Sequence, residues 1–181
     1  MAAGVVLLSL TGCGAVTQAN SNIAFMGDSI TVLWWLPRTN LGIYGNTTGQ
    51  MLARFPQQVL GHHVRAVVIL GGTNDIRKPK IPLDQEIDTA VDNLRAMADL
   101  AESENIEVVL CEVPPIRGED ARVIPLNLAI AELAREKQYK LVDYYTPMRG
   151  HPEYLRDGLH PSIQGFFVME QALKKVMPLD Y

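Results

Sequence analysis

A chain of 181 residues that is 48% hydrophobic and 20% charged is long enough to bury one continuous core, and this composition excludes an intrinsically disordered chain. Its formal net charge of -4, with no run of Lys or Arg, lacks the basic footprint that nucleic-acid binding requires. The expected partner is therefore a small, uncharged molecule bound at one site, and nothing in the sequence specifies an oligomeric state. The two cysteines, Cys13 and Cys111, form neither a metal-ligand spacing nor a disulfide framework. Cys111 follows the apolar run Val108-Val109-Leu110 and reads as a small buried thiol.

Residues 1–21 stand apart from the single domain expected over residues 22–181. Met1 to Cys13 read MAAGVVLLSLTGC, an apolar stretch closed by Leu10-Thr11-Gly12-Cys13. This resembles the processing site of a bacterial lipoprotein, without the basic residues that usually precede the apolar segment. Two readings stand level. One is a remnant lipoprotein signal, with a membrane tether through Cys13 and an envelope or periplasmic location. The other is a flexible apolar tail on a cytoplasmic protein. About ten apolar residues are too few to cross a bilayer in either case.

From residue 22 onward, short β-branched or apolar runs alternate with longer segments of helical period, which predicts a parallel sheet covered by helices on both faces. The strands are expected at 23–26, 41–44, 66–70, 107–112 and 140–143. Runs 66–70 and 107–111 are continuously apolar, as strands buried on both faces must be, and belong in the middle of the sheet. The spacing of Ile87, Val91, Leu94 and Met97 predicts a helix capped by Asp84 and running to about residue 103. A second helix is expected to begin near Pro125, with Leu126, Ile130 and Leu133 on one face. A last one is expected from Pro161, burying some of Ile163, Phe166, Phe167, Leu173 and Val176. The fold class is an α/β three-layer sandwich with a five-stranded parallel sheet, flavodoxin-like. The polar stretches 77–82 and 114–120 follow central strands, and loops at that edge of such a sheet form the binding crevice.

Four short motifs fall at expected strand ends: Gly27-Asp28-Ser29-Ile30-Thr31, Gly42-Ile43-Tyr44-Gly45-Asn46-Thr47-Thr48, Gly71-Gly72-Thr73-Asn74-Asp75 and Asp157-Gly158-Leu159-His160-Pro161. A serine just after a buried strand, at the opening of a helix, exposes its hydroxyl to the crevice and leaves its backbone N–H free, as attack on an ester requires. Such a serine needs a base, and of the four histidines His160 is the best placed. It stands three residues after Asp157, which can hold the ring tautomer and orientation as in a triad. His62, His63 and His151 read as solvated surface. A metal site built from Asp157, His160 and His151 lacks a dense ligand cluster, and a sugar- or phosphate-binding protein using the Gly27–Thr31 turn leaves the Ser29, Asp157 and His160 set unexplained.

Together the four motifs resemble the GDSL esterases, or SGNH hydrolases, whose four signature residues occur in order as Ser29, Gly45, Asn74 and His160. The resemblance covers nearly the whole chain after residue 22. It implies hydrolysis of carboxylic esters through an acyl-enzyme, with no metal and no organic cofactor. It also implies three oxyanion donors: the backbone N–H groups of Ser29 and Gly45 and the side-chain amide of Asn74. Asp28 and Asp75 read as loop organisers whose carboxylates accept backbone N–H bonds. Tyr44 departs from the small residue common before the oxyanion glycine and is a candidate pocket residue; Trp34 and Trp35 read equally as pocket residues, stacking on a sugar ring or an acyl chain, and as core packing or a mobile flap. Family substrates include short acyl esters, acetylated sugars, lysophospholipids and thioesters. A chain this short, with no evident inserted lid, favours small or exposed esters.

Overall fold

The computed structural model describes residues 22–35, 39–77 and 79–178; the lipoprotein-like segment ending at Cys13 lies outside them. Five parallel strands, β1 (Ile23–Gly27), β2 (Thr39–Gly42), β3 (Ala66–Leu70), β4 (Glu107–Cys111) and β5 (Lys140–Val142), form one sheet in the order β2-β1-β3-β4-β5. Every residue of β1 and β3 is buried, which is why their sequences are unbroken apolar runs rather than alternating ones. The helices are α1 (Ser29–Val32), α2 (Thr48–Val59), α3 (Thr73–Arg77), α4 (Leu83–Ser103), α5 (Asp120–Lys137) and α6 (Ile163–Val176). Helices α2, α4 and α5 pack side by side on one face. On the other face, Trp34 at the end of α1 meets Phe166 of α6 and Tyr144 beyond β5. This is the three-layer α/β/α sandwich. Among the described residues no helix is long and apolar enough to cross a membrane.

The register decides where loops gather. Gly27 pairs with Gly42 on one side and Leu70 on the other, so β1, β2 and β3 end level and their following loops open on one edge. β2 therefore stops at Gly42 instead of running through Tyr44. Once Gly27 has turned into α1, only the bond from Ile43 N–H to the Gly27 carbonyl, 3.2 Å, continues the ladder.

Helix starts differ from the expected ones for local reasons. Helix α4 begins at Leu83 after Pro82, with no side-chain cap. Asp84 and Glu86 instead sit in its first turn, where negative charge suits the helix dipole. Helix α5 begins at Asp120, so Pro125 lies inside it; the N–H groups of Arg122 and Val123 reach back to the Glu119 carbonyl and start the helix a turn early. Helix α6 begins at Ile163, capped by the Ser162 hydroxyl accepting from Gly165 N–H at 3.2 Å. Pro161 instead pairs with Leu155 in an isolated antiparallel bridge. Along α6, Phe166 and Leu173 are buried whereas Ile163 and Phe167 are exposed. Helix α2 departs from the expected elements: Pro56 reads as a helix breaker, yet Met51, Phe55 and Val59 bury one face at helical spacing. It is secured by a capping box in which Thr47 and Gln50 satisfy each other's backbone N–H groups.

One contact fixes α6 against the segment that precedes it. A Cβ at Gly165 would collide with the Tyr154 carbonyl oxygen and stand 3.1 Å from Pro161 Cβ. Alanine normally gains up to about 1 kcal/mol over glycine inside a helix, but here the backbone neighbour cannot move aside. Gly165→Ala is expected to destabilise the protein by about 2 kcal/mol, as overpacked sites do; an unchanged or raised urea midpoint would show that α6 does not need this close approach.

Candidate active site

Asp28 closes β1 and caps α1: its Oδ1 accepts from Ile30 N–H at 2.9 Å. That turn presents Ser29 at the first helical position, where a backbone N–H has no partner one turn earlier. From the far end of the chain, His160 Nε2 comes to 3.0 Å from Ser29 Oγ. Its Nδ1 lies 2.7 Å from Asp157 Oδ2, while Asp157 Oδ1 accepts from the backbone N–H groups of Leu159 and His160 at 3.0 and 2.8 Å. The tight turn is pinned by Arg156 N–H donating to the His160 carbonyl and Arg117 N–H donating to the Gly158 carbonyl, both 2.8 Å. Partial desolvation raises the Asp157 carboxyl, but the hydrogen bonds from the imidazole and the two backbone N–H groups outweigh it and hold the group well below the usual carboxylate range. Asp157 is thus an anion facing the ring nitrogen opposite Ser29. A hydroxyl, an imidazole and a carboxylate in line can move a proton from oxygen to nitrogen while the new imidazolium stays stabilised.

The Asn74 amide, at the start of α3, donates from Nδ2 to Asp28 Oδ2 at 3.1 Å and to the Asn46 carbonyl at 3.0 Å. Both amide hydrogens therefore have protein acceptors, and an anion arriving here has to share or take over one of them. Gly45 has a φ of 73° and nothing within 4 Å of where a Cβ would stand. Its backbone is left-handed and its approach is open, two reasons for glycine. Tyr44 beside it is 63% exposed and points no bulk into the protein core.

Trp34 and Trp35 separate. Trp34 is 4% exposed, with its ring edge-on to Phe25 and Tyr144 at 5.8 Å; it belongs to the core and is not a pocket wall, because α6 covers it with Phe166. Trp35 is 47% exposed and rests against Phe166 and Phe167. His151 does not join Asp157 and His160: its Nδ1 meets Glu153 at 2.9 Å and its ring stacks on Tyr154. Among the described residues no three His, Cys, Asp or Glu side chains are grouped to hold a metal ion.

A model of the GDSL-like lipase/acylhydrolase family matches residues 12–166. The chain belongs to this family. A GDSL-like lipase from Bacteroides thetaiotaomicron VPI-5482 is 30% identical over 84% of this chain and 85% of its own, with a TM-score of 0.73. A lipolytic protein of the G-D-S-L family from Veillonella parvula DSM 2008 is 20% identical over 86% of this chain and 97% of its own, with a TM-score of 0.74. A catalytic mutant of an acetylxylan esterase from Geobacillus stearothermophilus is 20% identical over 87% and 94%, with a TM-score of 0.73. The last two show a shared fold. No curated protein matches the chain. Membership in the acylhydrolase family makes ester hydrolysis the coarse activity of this chain.

Behind the motif residues of this acylhydrolase stand groups that motif reading missed. Arg54 donates from Nε to Asn46 Oδ1 at 2.8 Å, from one terminal nitrogen to the Leu41 carbonyl and Gln58 Oε1, and from the other to the Gly27 carbonyl at 2.9 Å. One guanidinium thereby ties the ends of β1 and β2 to the loop that carries Gly45. Asp75 accepts from Thr48 N–H and, at 2.6 Å, from Thr48 Oγ1, joining α3 to the start of α2. Burial raises the Asp75 carboxyl, against these bonds. The only sequence signal for this layer is the Thr47-x-x-Gln50 capping box; an arginine eight residues beyond Asn46 carries none.

Asp28 is 1% exposed. Burial pushes its carboxyl from 3.8 up to about 6, against the Ile30 N–H and the attraction of His160. The folded state thus holds the proton more tightly than the unfolded chain. The resulting destabilisation is absent below the unfolded value, grows as pH rises through the folded one, and is fully present above it. Between pH 7 and pH 5 wild type should gain about 1 kcal/mol relative to Asp28→Asn, whose side chain does not titrate. Urea unfolding of both proteins at the two pH values checks this, and a pH-independent difference would mean that Asp28 does not carry a perturbed carboxyl.

Proposed function

We propose that this protein is a serine ester hydrolase working through an acyl-enzyme, with short-chain acyl or acetylated carbohydrate esters as substrates. The observation that carries the reading is the continuous line from Asp157 Oδ2 through His160 to Ser29 Oγ, with spacings of 2.7 and 3.0 Å. Ser29 Oγ attacks the ester carbonyl carbon while His160 Nε2 takes its proton. The tetrahedral oxyanion collapses, and the departing alcohol oxygen receives that proton from His160. Water, deprotonated by the same nitrogen, attacks the acyl carbon; the Ser29–acyl bond breaks, and the proton returns to Ser29 Oγ.

The oxyanion is held by the backbone N–H groups of Ser29 and Gly45 and by the Asn74 amide, which exchanges its bond to the Asn46 carbonyl for one to the developing charge. Asp28 keeps Asn74 oriented through this exchange, since its carboxylate accepts from the same Nδ2. The open approach at Gly45 and the fold shared with an acetylxylan esterase support small, exposed esters. A second reading within the family, a lysophospholipase or thioesterase, draws support from the exposed apolar side chains of Trp35, Ile163 and Phe167, on which an acyl chain could lie.

An ester panel graded by acyl length, including acetylated sugar and lysophospholipid, run on wild type and Ser29→Ala, tests the proposal. Turnover of acetyl esters should be highest and should fall by about 10⁴-fold or more in Ser29→Ala; activity that survives the substitution would end the serine mechanism. Asn74→Ala should lower kcat by about 10²- to 10³-fold with a smaller effect on KM, and a normal kcat would remove the amide from the oxyanion site.

A further inference from the structure

The loop after β4 and the segment after β5, 148–155, border an open cavity of about 180 Å³, lined by Ile116, Arg117, Asp120, Arg149, His151 and Leu155 among others. Its charged groups divide into two kinds. Asp120 already accepts from the Tyr145 hydroxyl at 2.8 Å, and His151 is occupied by Glu153 and by stacking on Tyr154. Arg149 lies over the Tyr145 ring, with its guanidinium carbon 5.7 Å from the ring centroid. Among the described residues, neither Arg149 nor Arg117 has a carboxylate partner. The cavity is therefore lined by two arginines that have no carboxylate partner and by one carboxylate that is already engaged.

The cavity also adjoins the reacting groups. The Arg117 N–H holds the Gly158 carbonyl at 2.8 Å, and a Cβ on Gly158 would stand 3.2 Å from Arg117 Cβ. Arg117 thus packs directly on the turn between Asp157 and His160, and Leu155 and Pro161 close the same turn with their bridge. A group bound in the cavity shares a wall with the Ser29–His160 site. The volume exceeds that of an apolar cavity able to hold one benzene ring, roughly 150 Å³, and falls below the several hundred Å³ of a whole-ligand pocket. It suits one ionised group and the few atoms that attach it to a larger molecule. Guanidinium forks match the two oxygens of a carboxylate or phosphate.

We propose that this cavity is a subsite for a carboxylate or phosphate group borne by the ester substrate, so that the enzyme prefers anionic esters to their neutral counterparts. The proposal rests on the hydrolase reading of Ser29 and departs from the expectation of an uncharged substrate drawn from net charge, because a local pair of arginines is invisible in a sum over the chain.

Two matched pairs of probes test it: acetylated glucuronic acid against acetylated glucose, and acetylglycerol phosphate against acetylglycerol. At low ionic strength, at least one anionic member should show about tenfold higher kcat/KM than its neutral partner, the gain expected of a charge-assisted pair. The same member should bind the inactive Ser29→Ala protein about tenfold more tightly by calorimetry. Arg117→Gln and Arg149→Gln should each bring the anionic-to-neutral ratio to within about twofold of one. Because a ratio is read, a general loss of folded protein cancels. Preference for the glucuronate alone assigns an acidic sugar ester, and preference for the phosphate alone a phosphorylated headgroup. Equal constants within both pairs, or a preference that survives both substitutions, would overturn the subsite. If wild type hydrolyses no ester, the hydrolase reading fails on its own, while calorimetry on Ser29→Ala still decides whether the cavity selects anions.

Discussion

The contact between His160 Nε2 and Ser29 Oγ joins residues 131 positions apart. A hydrogen bond of this kind adds only about 1 kcal/mol net, far less than the entropy lost in closing such a loop and ordering both ends. It is therefore a product of the packing and not its cause. Ser29 is delivered by β1, which is buried along its whole length, pairs level with the equally buried β3 and with the edge strand β2, and is turned at its end by the Asp28 cap. His160 is delivered by α6, locked through Gly165 to the Tyr154 carbonyl and through the Leu155–Pro161 bridge. The hydrophobic core supplies the free energy, and the polar turn supplies the last ångström.

That division of labour recurs behind the site. The sheet edge holds polar groups at a depth where each must find a partner or cost stability. Asp28, Asn74, Asn46 and Arg54 satisfy one another in a chain that runs from the Asp28–Ser29 turn to the ends of β1 and β2. Asp75 and Thr48 do the same between α3 and α2. Fully partnered networks of this kind rigidify their surroundings. The cost is visible at Asp28, whose buried carboxyl is held ionised only against desolvation. A neutral residue would be less costly to bury, but it would also be a poorer acceptor for the Asn74 amide. The stability given up at this position is repaid as a fixed direction for a donor.

Much of the fold and of the site was legible in the sequence, for identifiable reasons. β3 coincides with the expected 66–70 because a strand buried on both faces must be uniformly apolar. The end of α4 at Ser103 followed from its apolar spacing. Helix α2 was not assigned although Met51, Phe55 and Val59 recur at helical spacing, because Pro56 in its midst reads as a helix breaker; nor was the true start of α5, fixed by bonds to the Glu119 carbonyl and not by Pro125. Among the candidate site residues, Ser29, Asp157 and His160 could be singled out because the proposed chemistry restricts each to very few residue types, and the structure brings the three side chains into line. The two adjacent tryptophans were not, because position along the chain does not say which ring faces the core.

The sequence by itself determined the layered α/β architecture, the edge of the sheet at which loops collect, and which serine, histidine and aspartate are candidates for a nucleophile, a base and its carboxylate partner. These are properties of short patterns, of apolar period and of residue chemistry, and they survive without coordinates. Only the tertiary structure decided that Arg54 clamps the ends of β1 and β2 and the Asn46 side chain, that both hydrogens of the Asn74 amide are engaged, that Trp34 is core, and that Arg117 and Arg149 share a cavity beside the Asp157–His160 turn. Each of these is a relation between residues brought together from different elements, set by packing geometry and by which polar partners burial leaves available, and no local pattern encodes it.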